Sequence, residues 1–174
     1  MQSSAGDGGQ PELLEAHSAA EFAVGRVLFE EYAAQLGVDL CFQNFAAELE
    51  RLPQMYGAPS GCLLLARQNG SEVGCGAVRH LSGTVCEMKR LYVKPPLRGS
   101  GLGRRLAVGL IDKGIALGYT HMVLDTLKTM TAALRLYHSL GFREIPAYYA
   151  NPMPEVAYLE RVLTGGSGAH LGQK

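Results

Sequence analysis

The sequence has no surplus of charge: sixteen Lys and Arg balance sixteen Asp and Glu over 174 residues, for a formal net charge of +0. A nucleic-acid binder normally carries a basic excess, so that class is excluded, and any anion must be held locally. The chain also lacks an apolar run of the ~18 residues that would span a bilayer, so no membrane partner is expected. Its four cysteines, Cys41, Cys62, Cys75 and Cys86, show no C-x-x-C spacing. Three of them fall in apolar or strand-like stretches, where a buried free thiol is the common state, and no disulfide framework is expected. The five histidines show no H-E-x-x-H spacing, so no metal site is expected. Residues 1–10 lack the basic and apolar regions of a signal peptide, which points to a cytoplasmic protein. With 47% hydrophobic and 18% charged residues and no internal repeat, the composition is that of a single globular domain. The expected boundaries are a flexible tail over 1–11, one domain over 12–163, and a Gly-rich flexible tail over 164–174.

What the sequence does contain is periodicity. Ser18 and Glu21 form a capping-box pattern, and Phe22, Val24, Val27, Leu28, Tyr32 and Leu36 follow at helical spacing until Gly37. A second helix is expected over 42–52, with Phe42, Phe45, Leu49 and Leu52 on one face and Pro53 ending it. Strand periodicity then takes over: 62–66, the Asn69-Gly70 turn and 73–78 make a hairpin candidate. Over 85–93, Val85, Glu87, Lys89, Leu91 and Val93 alternate with Cys86, Met88, Arg90 and Tyr92, so each face of a regular strand mixes apolar with charged side chains. That mixture predicts that one face lines a cleft. Pro95-Pro96 end the strand, and a helix carrying Leu102, Leu106, Leu110, Ile111 and Ile115 runs to Gly118. A strand over 122–124, a helix over 132–140 closed by Gly141, a strand starting at 142–145 and a last strand over 156–163 follow. The order is two N-terminal helices, antiparallel strands and then βαβαβ, an α/β (α+β mixed sheet) fold.

Between a strand and a helix lies Arg98-Gly99-Ser100-Gly101-Leu102-Gly103. Such a loop gathers unpaired backbone N–H groups and the positive end of the helix dipole at one point, and Arg98, Arg104 and Arg105 add charge, so it attracts phosphate. Each charge-assisted hydrogen bond contributes ~1.5–3 kcal/mol. Three or four of them, less ordering costs, match a micromolar pyrophosphate ligand at about −8 kcal/mol. The loop lacks the Gly-Lys-Ser/Thr ending of a P-loop, which excludes a nucleoside triphosphatase of that type. A dinucleotide fingerprint is out of register by one residue, although Asp125 lies about twenty residues on. On the residues alone, an NAD-type oxidoreductase and a glycine turn that only caps its helix both stay open.

Three segments together carry a resemblance. They are Glu87-Met88-Lys89-Arg90-Leu91-Tyr92-Val93, the loop with Arg98, Gly101 and Gly103 in an Arg/Gln-x-x-Gly-x-Gly/Ala pattern, and Ala133-Leu134-Arg135-Leu136-Tyr137-His138-Ser139-Leu140-Gly141-Phe142. The chain resembles the GCN5-related N-acetyltransferase (GNAT) superfamily over most of 12–163, and its ending resembles a small bacterial-type branch of unassigned acceptor. The resemblance implies a V-shaped splay between the central strands and an acetyl-CoA-dependent N-acetyltransferase, with acetyl-CoA as co-substrate and direct transfer to a primary amine of a small molecule or peptide. It implies CoA pyrophosphate on Arg98, Gly99, Ser100, Gly101, Leu102, Gly103 and Arg104, and pantetheine and thioester against the backbone of Leu91, Tyr92 and Val93. It implies Tyr137 as the acid that protonates the departing thiolate, whereas periodicity alone reads Tyr137 as core. Glu87, four residues before Leu91 on the same face of a regular strand, matches a position where several relatives place a general base. From residues alone it pairs with a cation such as Arg79 or lies exposed. An amine of pKa ≈ 10.4 is neutral in only about 1 molecule in 10³ at pH 7, so a base or a water chain is useful. Met130 stands where relatives often place an asparagine that contacts CoA. Asp125 is a second candidate for acceptor binding, and Tyr32, Phe42, Phe45, Tyr56, Tyr148 and Tyr149 either wall the acceptor site or pack. Dimerisation is common in the resembled family, so a homodimer is a further expectation. A non-catalytic acyl-CoA-binding module of the same fold is the alternative.

Overall fold

The computed structural model describes residues 9–37 and 39–163, with Phe42 described by its backbone only. Of the tails expected over 1–11 and 164–174, residues 1–8 and 164–174 lie outside the described residues. Strand β1 (Glu12–Glu15) opens the chain as the edge of a seven-stranded sheet, pairing antiparallel with β2. The sequence pattern does not predict it. Its four residues hold no alternating pattern, and only pairing with Leu64 to Arg67 makes it a strand. Helix α1 (Ala19–Leu36) starts at the expected capping box. Ser18 accepts from the Glu21 backbone while the Glu21 carboxylate accepts from the Ser18 backbone, and the helix ends at Gly37 with φ +68°.

The single helix expected over 42–52 is not formed as one piece. A 3-10 turn (Cys41–Gln43), α2 (Phe45–Glu50) and α3 (Leu52–Tyr56) replace it. Asn44 takes a left-handed conformation (φ +57°) between the first two, a conformation asparagine tolerates better than most residues. Pro53, expected as a terminator, instead occupies the first turn of α3, where its missing N–H costs nothing.

The hairpin of β2 (Cys62–Gln68) and β3 (Ser71–Ser82) turns at Asn69 and Gly70, both with positive φ, and β4 (Val85–Val93) continues the antiparallel sheet. Helix α4 (Leu102–Ala116) crosses back to β5 (His121–Leu127), which is parallel to β4. Helix α5 (Thr131–Ser139) leads to β6 (Arg143–Ile145) and β7 (Val156–Val162). The sheet order is β1-β2-β3-β4-β5-β7-β6. The mixed α/β sheet is therefore present, but β7 inserts antiparallel between β5 and β6, and β4–β5 is its one parallel pair. The doubly wound parallel sheet of a dinucleotide-binding oxidoreductase is absent among the described residues.

Two apolar clusters hold the layers together. One packs Leu102, Leu106, Leu110 and Ile111 of α4, with Tyr137 and Phe142, against Met88, Met122 and Leu124 of the sheet. The other packs Phe22, Leu28 and Phe29 of α1, with Leu52 and Tyr56 of α3, against Leu63, Leu65 and Tyr92.

Strand β4 carries a bulge. Cys75 faces Tyr92 and Ala77 faces Lys89, so two steps on β3 oppose three on β4, and Arg90 sits at φ +57°. The extra residue resolves the mixed pattern seen in the sequence. Cys86, Met88, Leu91 and Val93 all turn to the α4 cluster, whereas Glu87, Lys89, Arg90 and Tyr92 turn to the other side. Glu87 and Leu91, expected on one face, are on opposite faces for this reason.

Gly74 sits where β3 meets the strip that follows the bulge, and a Cβ there would lie 2.7 Å from the Tyr92 carbonyl oxygen. Gly74→Ala therefore has to push backbone against backbone. We expect a loss of ~1–3 kcal/mol, the usual range for overpacking. In a thermal melt that corresponds to about 2–4 °C for each kcal/mol in a chain of this size. An unchanged melting temperature would show that the two strands separate there freely.

Candidate functional site

The glycine loop follows a 3-10 turn (Pro95–Leu97). Gly99 (φ +80°) and Gly101 (φ +87°) take backbone conformations that side chains disfavour, and Gly101 caps α4. The first helical bond runs from the Arg105 N–H to the Gly101 carbonyl, so the amides of 101–104 have no helical partner. Ser100 turns away, its hydroxyl donating to the Leu97 carbonyl at 2.7 Å. Leu102 is buried in the core, so only its amide faces the loop. Arg98 donates from Nε to the Val93 carbonyl at 3.1 Å and reaches Gln35 of α1 at 2.5 Å, while Arg104 bonds Ser139 of α5 at 2.9 Å.

Beside this loop runs a groove of about 690 Å³. One wall is Leu91, Tyr92 and Val93 with Arg98, Gly99, Gly101, Gly103 and Arg104; the other is Leu127, Thr129 to Ala133 and Leu136. The residues expected to hold a CoA-type ligand are thus brought together, apart from Ser100 and the Leu102 side chain. The Tyr92 side chain packs in the α1 cluster, and its hydroxyl accepts at 2.8 Å from Gln35, which also lines the groove. Met130, in the asparagine's place, lines the groove with an apolar side chain.

The groove narrows into a wedge. Strands β4 and β5 pair at only three positions, Val85 with His121, Cys86 with Met122 and Glu87 with Val123, and then separate. In the gap lies a smaller cavity of about 80 Å³ that shares Tyr32, Leu91, Leu127, Met130 and Ala133 with the groove. Tyr137 lines it, and among the described residues its hydroxyl has no hydrogen-bond partner. Burial pushes its phenol well above the ordinary value, so it stays protonated and able to donate.

The far end of the wedge is polar. Asp125 accepts from Lys89 Nζ at 3.0 Å, from the Tyr149 hydroxyl at 2.9 Å and from Gln43 Nε2 at 3.2 Å. Burial pushes this carboxyl up, but the Lys89 charge and the bonds from Lys89 and Tyr149 outweigh it and leave its pKa below the ordinary value. Asn151 donates to Tyr149, so the 3-10 turn, β5 and the loop before β7 are tied together over the cavity. Of these residues only Asp125 and Tyr149 were candidates from the sequence. Gln43 sat inside an expected helix, and Lys89 was seen only as one charge in a mixed strand.

Glu87 lines neither cavity. It is 1% exposed and accepts from Arg79 at 2.7 Å and from the Tyr148 hydroxyl at 2.7 Å, with Lys89 at 3.4 Å. Of the two arrangements weighed from the sequence, the pairing with Arg79 is the one present. Tyr56 is buried against Glu48, Phe45 packs on Arg90, and Tyr32 lines both cavities, so the expected aromatic wall is in part a packing layer. Phe42 lies outside the described side chains. Among the described residues there is no cluster of three His, Cys, Asp or Glu placed to hold a metal, and no helix is long and apolar enough to cross a membrane.

Comparison with known proteins agrees with this geometry. The sequence pattern of the acetyltransferase (GNAT) family matches residues 27–142. An uncharacterised N-acetyltransferase of Schizosaccharomyces pombe is 46% identical over 136 residues, covering 77% of this chain and 83% of the relative. An acetyltransferase structure from Streptococcus agalactiae superposes with a TM-score of 0.72 at 21% identity, over 88% of this chain and 99% of that one. A GNAT family acetyltransferase from Elizabethkingia anophelis, solved with acetyl-CoA bound, has a TM-score of 0.52 at 26% identity, over 60% of this chain and 77% of that one.

None of the four cysteines lines either cavity. Burial pushes the Cys62 and Cys86 thiols up to about 12 and that of Cys75 higher still; Cys41 is exposed, and its thiol is raised chiefly by its hydrogen bond to Asp39 and that carboxylate's charge. A thiol-disulfide reagent such as DTNB should therefore modify one cysteine quickly in the native protein and the other three only on unfolding. Rapid modification of two or more would mean that the sheet opens locally.

Proposed function

As a member of the acetyltransferase (GNAT) family, the chain is an acetyl-CoA-dependent N-acetyltransferase, and we propose that it transfers the acetyl group directly to a primary amine of a small molecule or peptide. Acetyl-CoA supplies the thioester and with it the driving force. The observation that carries the reading is one path: unpaired amides at the N-terminus of α4, a groove along Leu91 to Val93, and a wedge lined by Tyr137 and Asp125.

The residues divide the work by position. The amides of 101–104, with Arg98 and Arg104, hold the pyrophosphate, since several fixed donors and two cations converge there. The backbone edge of Leu91, Tyr92 and Val93, free of β5 after the splay, pairs with the pantetheine amides and donates to the thioester oxygen. Tyr137 gives its proton to the thiolate that leaves as the C–S bond breaks. The amine enters from the side of Gln43 and Asp125, whose ionised carboxylate attracts a cationic acceptor. Glu87, with both oxygens engaged, anchors Lys89 rather than meeting the amine, and the amine's proton leaves through water at the polar end. The absence of any cysteine from the cavity walls supports direct transfer over an acetyl-enzyme.

Calorimetric titration with acetyl-CoA, with NADH as the comparison ligand, tests the groove. Low-micromolar binding of acetyl-CoA alone is expected; binding of NADH alone would overturn the assignment. Arg98→Ala should weaken acetyl-CoA binding about tenfold, the loss of one charge-assisted bond. In a thiol-release screen over amines, Tyr137→Phe should lower kcat roughly 10²-fold with acetyl-CoA affinity unchanged. An active parent whose Tyr137→Phe variant keeps full kcat would remove Tyr137 from its role. A parent that binds acetyl-CoA but turns over no amine would favour the non-catalytic module.

A further inference from the structure

Arg90 is a buried guanidinium at a backbone conformation that arginine seldom adopts. Its φ of +57° lies at the bulge where β4 gains one residue on β3, immediately before the strip Leu91 to Val93. Its backbone lies between ladder pairs to β3, and its carbonyl accepts from Cys75 Sγ at 3.5 Å. Its side chain is restrained from α2: Glu48 accepts from Arg90 Nε at 3.0 Å and from its terminal nitrogen at 2.6 Å, a bidentate pair with both side chains 3% exposed. Tyr56 of α3 donates to the same Glu48 at 2.8 Å, and the guanidinium is stacked between Tyr32, at 5.9 Å, and Phe45, at 5.1 Å. Neither Glu48 nor Phe45 lines either cavity, whereas Arg90 and Tyr32 line the smaller one.

We propose that Glu48 is a positioning residue: through Arg90 it holds the β4 bulge, and with it aims the open backbone edge of Leu91 to Val93 at the thioester carbonyl. The inference rests on the reading of that edge as the thioester-binding strip. A bulge re-aims every backbone group that follows it, so the direction of the strip depends on how firmly residue 90 keeps its left-handed conformation. Van der Waals and pyrophosphate contacts along the groove do not depend on that direction to the same degree. Loss of the clamp should therefore cost affinity only through the pantetheine bonds and act chiefly on polarisation of the carbonyl.

The test uses acetyl-CoA labelled with carbon-13 at the acetyl carbonyl, so no acceptor is needed. Infrared difference spectra read the carbonyl stretch in the bound state, and calorimetry reads affinity. The parent should shift the stretch to lower frequency on binding. Glu48→Gln should bind within about threefold of the parent while losing about half or more of that shift. Because a buried arginine left unpaired can destabilise the fold, the double variant Glu48→Met/Arg90→Met is measured beside it; replacing a buried ion pair by apolar side chains commonly keeps stability. It too should bind acetyl-CoA and lose the shift. A full shift retained in the folded double variant would overturn the role of Glu48 while leaving the strip intact. A parent that binds acetyl-CoA with no shift, or does not bind it, would remove the strip's assignment and this inference with it.

Discussion

The architecture of the site depends on one extra residue in β4. A left-handed conformation costs an L-residue roughly 1–2 kcal/mol, whereas a buried arginine stripped of its partner costs roughly 3–5 kcal/mol. The second figure is the larger, so the Arg90–Glu48 pair is sufficient to hold the strained backbone. Gly76 lies opposite the bulge, where a Cβ would meet Leu110 Cδ1 at 2.7 Å and Leu91 Cδ1 at 3.3 Å, so any side chain there has to displace both leucines. Helix α2, the bulge and α4 thus constrain the same few residues from both sides of the sheet.

Two consequences follow for the sheet. After the bulge the apolar side chains of Leu91 and Val93 stay with the α4 cluster, which keeps that core continuous, while Tyr92 joins the α1 cluster and Arg90 the charged groups on the same face. Beyond Glu87 the strand also loses its β5 neighbour, leaving a short edge of backbone donors and acceptors inside the molecule. Such an edge calls for a partner, and a ligand with amides of its own is a natural one. The polar side is a nearly closed set of charges: Arg79, Lys89 and Arg90 against Glu87, Asp125 and Glu48. Among the described residues no fully buried side-chain nitrogen or oxygen lacks a hydrogen-bond partner, so the set can remain buried.

Much of this was visible in the linear sequence, and the division is physical. Ser18 with Glu21, the Asn69-Gly70 turn, Gly101 at the start of α4 and Tyr137 on α5 are local signals, each decided by a few neighbouring residues. Strand β1 was not visible because an edge strand is defined by its neighbour. The broken helix after residue 40 left no signal because only Asn44 and Arg51, single residues, interrupt an otherwise helical pattern. The bulge left a trace, since the charges on both faces of 85–93 are what an unbulged reading of a bulged strand produces. The partners Glu48 and Gln43 left none: their bonds to Arg90 and Asp125 join residues on different elements, 42 and 82 positions apart.

The wedge also keeps two titratable groups in opposite states within one small cavity. Tyr137 meets an apolar wall and no counter-ion, so burial raises its pKa and preserves its proton. Asp125 is buried as well, yet Lys89 and Tyr149 hold its carboxylate ionised. The same desolvation therefore yields a donor at one end and an anion at the other, because only one of the two groups is given partners for its charged form. An acyl transfer from thioester to amine needs that polarity, since a proton must be ready where the thiolate leaves and a negative charge where the ammonium arrives. The partners of Asp125 come from the sheet, the 3-10 turn and the loop before β7, so the polarity of the wedge depends on the tertiary fold as a whole.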